Sequence, residues 1–468
     1  YVSPMFGFKN FFSLIKRSLS GEEFDFTSLP VKTSIFLLAI PMILEMMMES
    51  VFAVVDILYV GQLGNKALAT VGLTESILMI IYSIGMGISM AATAMVARRF
   101  GEKKIKEAGT AAFQLIVTGG ILAIVLGVST FAYAPELLSL IGGDAELVSY
   151  GAGYTRIIFA GNIVIVLLFL INGIFRGAGN PQLAMRTLIL ANGLNIILDP
   201  IFIFGFGPIP GFGIEGAAIA TTTGRGIGVV YQLYHLFGGK HQLKIVRENL
   251  VVQWKTVTRI LSVSAGGMGQ FLIDSASWIF LTKIIASFGT DVVAGYTIAF
   301  RVIIFSILPA WGFSGAAATL VGQFLGAKRP DQAEDAVWIT VRYNVGFLAA
   351  ITVLFVLFGG PISSLFTDNE TAIQISRQAL SIITLGYVFF GLGMVLIQAF
   401  NGAGDTKTPM VINILVLWLI EIPMAYVLAK PLGMGPQGIF LAIAICHSLH
   451  ALVCWYWFKK GRWKLVNI

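Results

Sequence analysis

Charge is scarce in this sequence. Of 468 residues, 12% are Asp, Glu, Lys or Arg and 57% are hydrophobic, and the charged share is about half that of an ordinary soluble chain. Cysteine is almost missing. Cys446 and Cys454 are the two present, and both fall in one apolar run, which excludes a disulfide framework and a cysteine-rich metal site. Histidine numbers four, too scattered for a catalytic constellation at one leaflet. His447 and His450 stand three apart beside Cys446, without a third ligand for a metal. No phosphate-binding Gly-rich loop ending in Lys-Ser or Lys-Thr occurs, so ATP is not the expected energy source. Neither an enzyme nor a cofactor is expected.

Apolar runs fill the rest. Stretches of about 20 apolar residues, each long enough to span a bilayer as a helix, fall at 34–60, 68–97, 108–132, 151–176, 183–205, 213–237, 256–287, 292–324, 333–358, 372–401, 409–430 and 435–458. Turn signals separate them, among them "GFGPIPGFG" and "GMGPQG". The expectation is an all-α polytopic membrane protein with twelve spans. "MFGFKNFFSLIKRSLSGEEFDF" mixes Phe6, Phe8, Phe11, Phe12 and Ile15 with Lys9, Lys16 and Arg17, which reads as an interfacial amphipathic segment rather than a cleaved leader.

The net charge of +7 is distributed by topology, so no nucleic-acid partner is expected. Lys9, Lys16, Arg17, Lys32, "RRFGEKKIK" (98–106), Arg176, Arg186, Lys240 to Arg259, Lys328, Arg329, Lys407 and "KKGRWK" (459–464) collect on one side. The other side carries Glu136, Asp144, Glu146, Asp291, Asp368 and Glu370, with Lys66 and Lys430 as its basic members. The positive-inside rule then places both termini in the cytoplasm. The expected organisation is a cytoplasmic segment (1–32), a six-span lobe (33–237), a linker (238–255), a second six-span lobe (256–458) and a basic tail (459–468).

The two lobes are copies. At a constant offset of 225 residues, Gly64 matches Gly289, Gly87 matches Gly312, Ser89 matches Ser314, Gly101 matches Gly326 and Lys103 matches Lys328, while "FRGAG" (175–179) matches "FNGAG" (400–404). Both basic loops lie on one side, so the repeats are parallel and related by a pseudo-two-fold axis along the membrane normal. Such repeats place a substrate site between the halves, and rocking of one against the other gives alternating access.

Several spans carry residues that lipid disfavours. In "TLILANGLNIILDPIFIF", Asn192, Asn195 and Asp199 share one helical face, and Pro200 frees a carbonyl four residues earlier and can bend the helix. In the first span Glu45, Glu49 and Asp56 form another stripe. A carboxylate at the bilayer centre costs about 2.5–3.5 kcal/mol on insertion scales. Two acidic faces in one lobe therefore suggest a shared site for a proton or a small cation, the alternative being hydrogen bonds that join helices. In the second lobe Asp274 is the repeat partner of Glu49. Gln270, Arg301 and Glu421 also lie at membrane depth; Arg301 and Glu421 either line the cavity or form interhelical ion pairs. Met42, Met46, Met47 and Met48 supply soft, polarizable surface that suits packing and promiscuous ligands.

"IPMILEMMMESVFAVVDILYVGQLG", "GISMAATAMVARRFGEKK", "FRGAGN", "NIILDP" and "FNGAGDTKTP" occur in that order. Together they resemble the multidrug and toxic compound extrusion (MATE) family over essentially the whole chain after residue 30. The resemblance implies a cation-driven antiporter of two six-helix lobes in a V, acting as a monomer in a plasma membrane, here a bacterial inner membrane. It would export cationic or amphipathic small molecules against inward H⁺ or Na⁺. It assigns the coupling-ion site to Asp56, Asn172, Asn195 and Asp199, with threonines of the sixth span (Thr221 to Thr223). Glu49 joins this set from the stripe in the first span, while Asp274, Asn192, Glu45, Gln270 and Arg301 are expected to line the substrate cavity. Asp274 also matches an acidic position of the NorM-like branch, yet the tenth-span carboxylate of that branch is missing from "YVFFGLGMVLIQAF" (387–400). A flippase for a lipid-linked intermediate is the competing reading, against which twelve spans and an acidic interior argue.

Overall fold

A backbone that crosses lipid must satisfy its own hydrogen bonds, and this chain does so almost entirely by helix. The computed structural model describes residues 8–239 and 241–468, and the side chains only from residue 12 on. Residues 1–7, the side chains of Phe8, Lys9 and Phe11, and Lys240 lie outside the described residues. The first half runs α1 (Phe8–Ser20), α2 (Val31–Gly61), α3 (Asn65–Gly101), α4 (Ile105–Ala132), α5 (Ala134–Leu140), α6 (Ala145–Ala160), α7 (Asn162–Gly177), α8 (Pro181–Phe204) and α9 (Ile214–Gly238). The second half runs α10 (Trp254–Ala286), α11 (Thr290–Gly326), α12 (Pro330–Ser364), α13 (Glu370–Leu385), α14 (Tyr387–Ala403), α15 (Lys407–Asn413), a π-helical stretch (Ile414–Glu421), α16 (Ile422–Ala429) and α17 (Pro436–Lys459).

Among the described residues nine helical segments, or ten with α13 and α14 joined, are long and apolar enough to cross a membrane. α9 and α10, of 25 and 33 residues, have spanning length but more polar sequences, and bring the long segments to the expected twelve. Residues such as Val128, Ile279 and Leu357 stay exposed on their outer faces, as a lipid-facing surface requires.

The repeat is written into the backbone. Asp144 caps α6 by accepting from Leu147 N at 2.8 Å, and its repeat partner Asn369 caps α13 by accepting from Ala372 N at 3.1 Å. The spans expected to be continuous at 151–176 and 372–401 are both broken, at the matched glycines Gly161 and Gly386; the second break bends the chain by 57°. A neighbour presses on each glycine: a Cβ there would meet Thr222 in one half and the carbonyl of Ala444 in the other. Lys103 and Lys328, also matched, share a left-handed φ of 62° and 58°, uncommon for residues other than glycine. The π-helical stretch has no counterpart in α8, which continues through Pro200 to Phe204 without a break.

The lobes exchange helix ends. Ile35, Leu37, Leu38, Ala39 and Met42, at the start of α2, are buried in the core of the second half with α11, α12, α14 and α17. Ile260 and Val263, at the start of α10, are buried in the core of the first half. Two matched glycines permit these crossings, because a Cβ at Gly87 would strike Met268 N at 2.6 Å and one at Gly312 would strike Ile43 Cα at 2.8 Å. Toward the basic end α3 and α11 close on each other. A Cβ at Gly101 would overlap the carbonyl of Gln323, and one at Gly326 the carbonyl of Arg98. The expected basic tail folds back as well: Trp463 is fully buried, Val466 and Ile468 join the first-half core, and Arg98 Nη2 donates to Val466 O at 2.5 Å.

Candidate cation site and central cavity

The polar face of α8 meets α9 and α2 inside the first lobe. Asn195 Nδ2 donates to Asp199 Oδ1 at 3.3 Å, one helical turn on, and to Thr221 Oγ1 of α9 at 3.1 Å. Asn195 and Asp199 are buried. Asn195 Oδ1 and Asp199 Oδ2 find no hydrogen-bond donor among the described residues, an arrangement buried polar atoms rarely keep without a bound partner. Asp56 of α2 lies close enough for its charge to act on Asp199. Oxygen atoms from a carboxylate, an amide and a hydroxyl thus lie together within the field of a second carboxylate, a set able to hold a proton or a hard cation. Of the neighbouring threonines, Thr222 packs on Gly161.

The acidic stripe of α2 does not act as one group. Glu49 Oε2 accepts from Asn192 Nδ2 at 3.0 Å, and Glu49 Oε1 faces Arg225 Nη2 at 3.4 Å. Arg225 is 4% exposed; its Nη1 donates to Tyr82 Oη at 3.1 Å and its guanidinium lies 5.3 Å from the Phe52 ring centroid. Asp56 also feels this cation. Nearer the basic end, Glu45 Oε1 accepts from Asn172 Nδ2 at 3.2 Å and lies 3.5 Å from Arg176 Nη1, while Asn172 Oδ1 accepts from Gln232 Nε2 at 2.6 Å. Asn172 therefore sits with Glu45, and its hydrogen bonds run to Glu45 and Gln232 rather than to Asn195 or Asp199. Sequence reasoning missed Arg225, Tyr82 and Gln232. The available signal was a lone arginine in an apolar span, since an ionisable group there needs a partner.

A chamber lies between the lobes. It has a volume of ≈ 80 Å³ and is walled by Met42, Met46, Met86 and Met90, with Phe271 stacked on Trp311. That volume is below the few hundred Å³ of a drug-sized site. Arg176 and Asn401, repeat partners, both line it. Each holds the repeat-matched residue of its own lobe: Arg176 with Glu45, and Asn401 with Gln270, whose Nε2 donates to Asn401 Oδ1 at 3.0 Å and Thr406 O at 2.8 Å. One side of the chamber floor is thus charged and the other neutral.

In the second lobe Asp274 makes no hydrogen bond among the described residues, and its charge acts on Glu421. Glu421, last residue of the π-helical stretch, accepts from Ser277 Oγ at 3.0 Å and lies 3.9 Å from His447 Nε2. His447 packs edge-on to Phe390, and His450 Nε2 meets Asn413 Oδ1 at 2.8 Å. Arg301 is exposed on α11, and its charge reaches Glu75 on α3 of the other lobe.

This arrangement has known counterparts. The MatE family model matches residues 41–201 and again 268–427, one copy in each half. The chain belongs to the MatE family. It is a membrane transport protein and not an enzyme. Its relatives include a probable multidrug resistance protein NorM of Thermotoga maritima, 27% identical over 97% of each chain. A FAD transporter of Shewanella oneidensis is 24% identical over 92% of this chain and 94% of its own. Among solved structures, an outward-facing multidrug resistance MATE transporter superimposes with a TM-score of 0.88 at 25% identity, covering 95% of this chain and all of the other (100%). A MOP superfamily transporter from Pyrococcus furiosus, described for the reverse polarity of its binding pocket, gives 0.87 at 26% identity, covering 96% and 97%. The MatE assignment fits the two parallel six-helix lobes and the chamber between them.

Proposed function

We propose that this MatE protein is an antiporter that exports cationic or amphipathic small molecules in exchange for inward H⁺ or Na⁺, from a bacterial inner membrane with both termini in the cytoplasm. The observation that carries the reading is the pair of buried, unpartnered oxygens on Asn195 and Asp199, in residues held beside the Thr221 hydroxyl through Asn195 Nδ2 and within the field of Asp56. Facing outward, Asp199 takes up the ion and the polar face of α8 becomes neutral. Repacking of α8 against α2 and α9 then narrows the first lobe and displaces substrate. Facing inward, ion loss restores the charge and the cavity. The driving energy is adequate, since one charge crossing 100 mV contributes about 2.3 kcal/mol and one pH unit about 1.4 kcal/mol.

The methionine walls and the multidrug relatives support a promiscuous cation substrate, and the proton is favoured because carboxylates and amides suffice for it. The FAD transporter among the relatives keeps an anionic substrate as the second reading, for which Arg176 in the chamber would be the recognition group. Proteoliposomes given ΔpH or ΔpNa separately, and offered a lipophilic cation or a flavin nucleotide, separate the alternatives. The cation should move under ΔpH alone; flavin movement with no cation movement selects the second reading.

A further inference from the structure

At the basic end the seam between the lobes opens into a second cavity, of ≈ 610 Å³. Its walls come from the end of α3, the start of α10, the α14–α15 turn and the C-terminal residues, so both halves of the molecule contribute. Four cations line it: Arg99, Lys255, Arg259 and Lys407. Arg99 is engaged with Glu102 at 2.8 Å. Lys255, Arg259 and Lys407 are exposed and make no ion pair among the described residues. The carboxylate in the wall, Asp405, is already occupied, accepting from Thr408 N at 3.2 Å and Thr408 Oγ1 at 2.7 Å. Three cations outside any described ion pair against one wall carboxylate leave the cavity net positive, which suits an external anion, and a tetrahedral oxyanion meets several donors at once.

The surroundings indicate the source of that anion. Trp254, next to Lys255, is 75% exposed, and Leu261, seven residues on and so on the same helical face, is 40% exposed. An exposed tryptophan at the end of a spanning helix marks the headgroup level of a bilayer, and basic pockets between helices at that depth hold anionic headgroups. We propose that this cavity binds the phosphate of an anionic phospholipid, with Lys255, Arg259 and Lys407 around the headgroup and the acyl chains along Trp254 and Leu261. A lipid seated there bridges α10, whose start is buried in the first-half core, to the α14–α15 turn, and so favours the conformation in which the lobes are closed at this end.

The test is native mass spectrometry of the full chain, titrated with phosphatidylglycerol or phosphatidylcholine. Wild-type protein should retain phosphatidylglycerol about tenfold more than phosphatidylcholine. The K255Q/R259Q/K407Q variant should retain the two alike, and K459Q/K460Q, which removes basic charge outside the cavity, should behave as wild type. Should the triple variant fail to fold, Lys407→Gln alone should still lower the preference. Equal retention of both lipids by wild type, or an undiminished preference in the triple variant, overturns the proposal. Displacement of phosphatidylglycerol by an equal concentration of inorganic phosphate also overturns it, in favour of a free-anion site.

Discussion

Arg225 and Glu49 face each other at 3.4 Å between α9 and α2, in the interior of the first lobe. The arginine is almost fully buried and the Glu49 side chain is 28% exposed. The pair separates Glu49 of α2 from Asp199 of α8: Glu49 has a resident cation, whereas Asp199 has an amide and a hydroxyl nearby but no cation in contact among the described residues. That division is why Asp199 rather than Glu49 is assigned the exchangeable ion.

Removing one member of the pair should be costly and removing both should be less so. Arg225→Gln leaves Glu49 without its counter-charge, and loss of one partner of a buried pair costs about 3–5 kcal/mol, reduced here by the partial exposure of Glu49. Thermal unfolding in detergent of R225Q, E49Q and the double variant measures the coupling. An interaction energy above about 0.5 kcal/mol is expected, and strict additivity would show that the two do not act together.

The closure of the lobes at the basic end rests on matched glycines. Gly101→Ala or Gly326→Ala places a methyl against a backbone carbonyl of the opposite half, and overpacking of this kind costs about 1–3 kcal/mol. Gly120→Ala, where a Cβ meets nothing within 4 Å, is the matched control. Both seam variants should lower the unfolding temperature and raise the reactivity of a cysteine placed at 323, while G120A leaves that reactivity unchanged and does not lower the unfolding temperature.

We propose that Arg301 and Asp274 bear on substrate rather than on the ion. Asp274→Asn should change the drug profile and leave the ion-triggered conformational change intact, and Arg301→Gln should act in the same sense. Fluorescence-detected ion response and dye binding, measured on the same preparation, check this. Loss of ion response with unchanged binding reverses the assignment for either residue.

Orientation is open to labelling, since Cys446 and Cys454 are buried. Cysteines at 144 and 368, both exposed, should react with an impermeant thiol reagent on intact cells. One at the exposed position 462 should not. Reaction at 462 alone requires the opposite topology.

The spans, the repeat and the two polar faces were legible because each is a local pattern. Apolar length gives the span, and a constant offset gives the duplication. Spacing of three and four placed Asn195 on the face of Asp199, and the two do form a hydrogen bond at 3.3 Å. What the sequence hid depends on contacts between distant segments. Asn172 looked like a member of the cation site, but Glu45 and Gln232 hold it elsewhere, and its own helix carries no mark of either. The breaks at Gly161 and Gly386 fall where Thr222 and Ala444, far along the chain, leave no room for a Cβ. Burial of Trp463 was likewise masked by the basic residues around it.

Asp199→Asn tests the central claim most directly. Asparagine keeps the size and the acceptor oxygen but removes the charge and the exchangeable proton. The variant, reconstituted beside wild type in proteoliposomes with an imposed ΔpH, should insert but, fixed in the neutral form, should bind a fluorescent cation more weakly than wild type does. Its gradient-driven accumulation of that cation should be lost. Accumulation at the wild-type rate by Asp199→Asn would contradict the account.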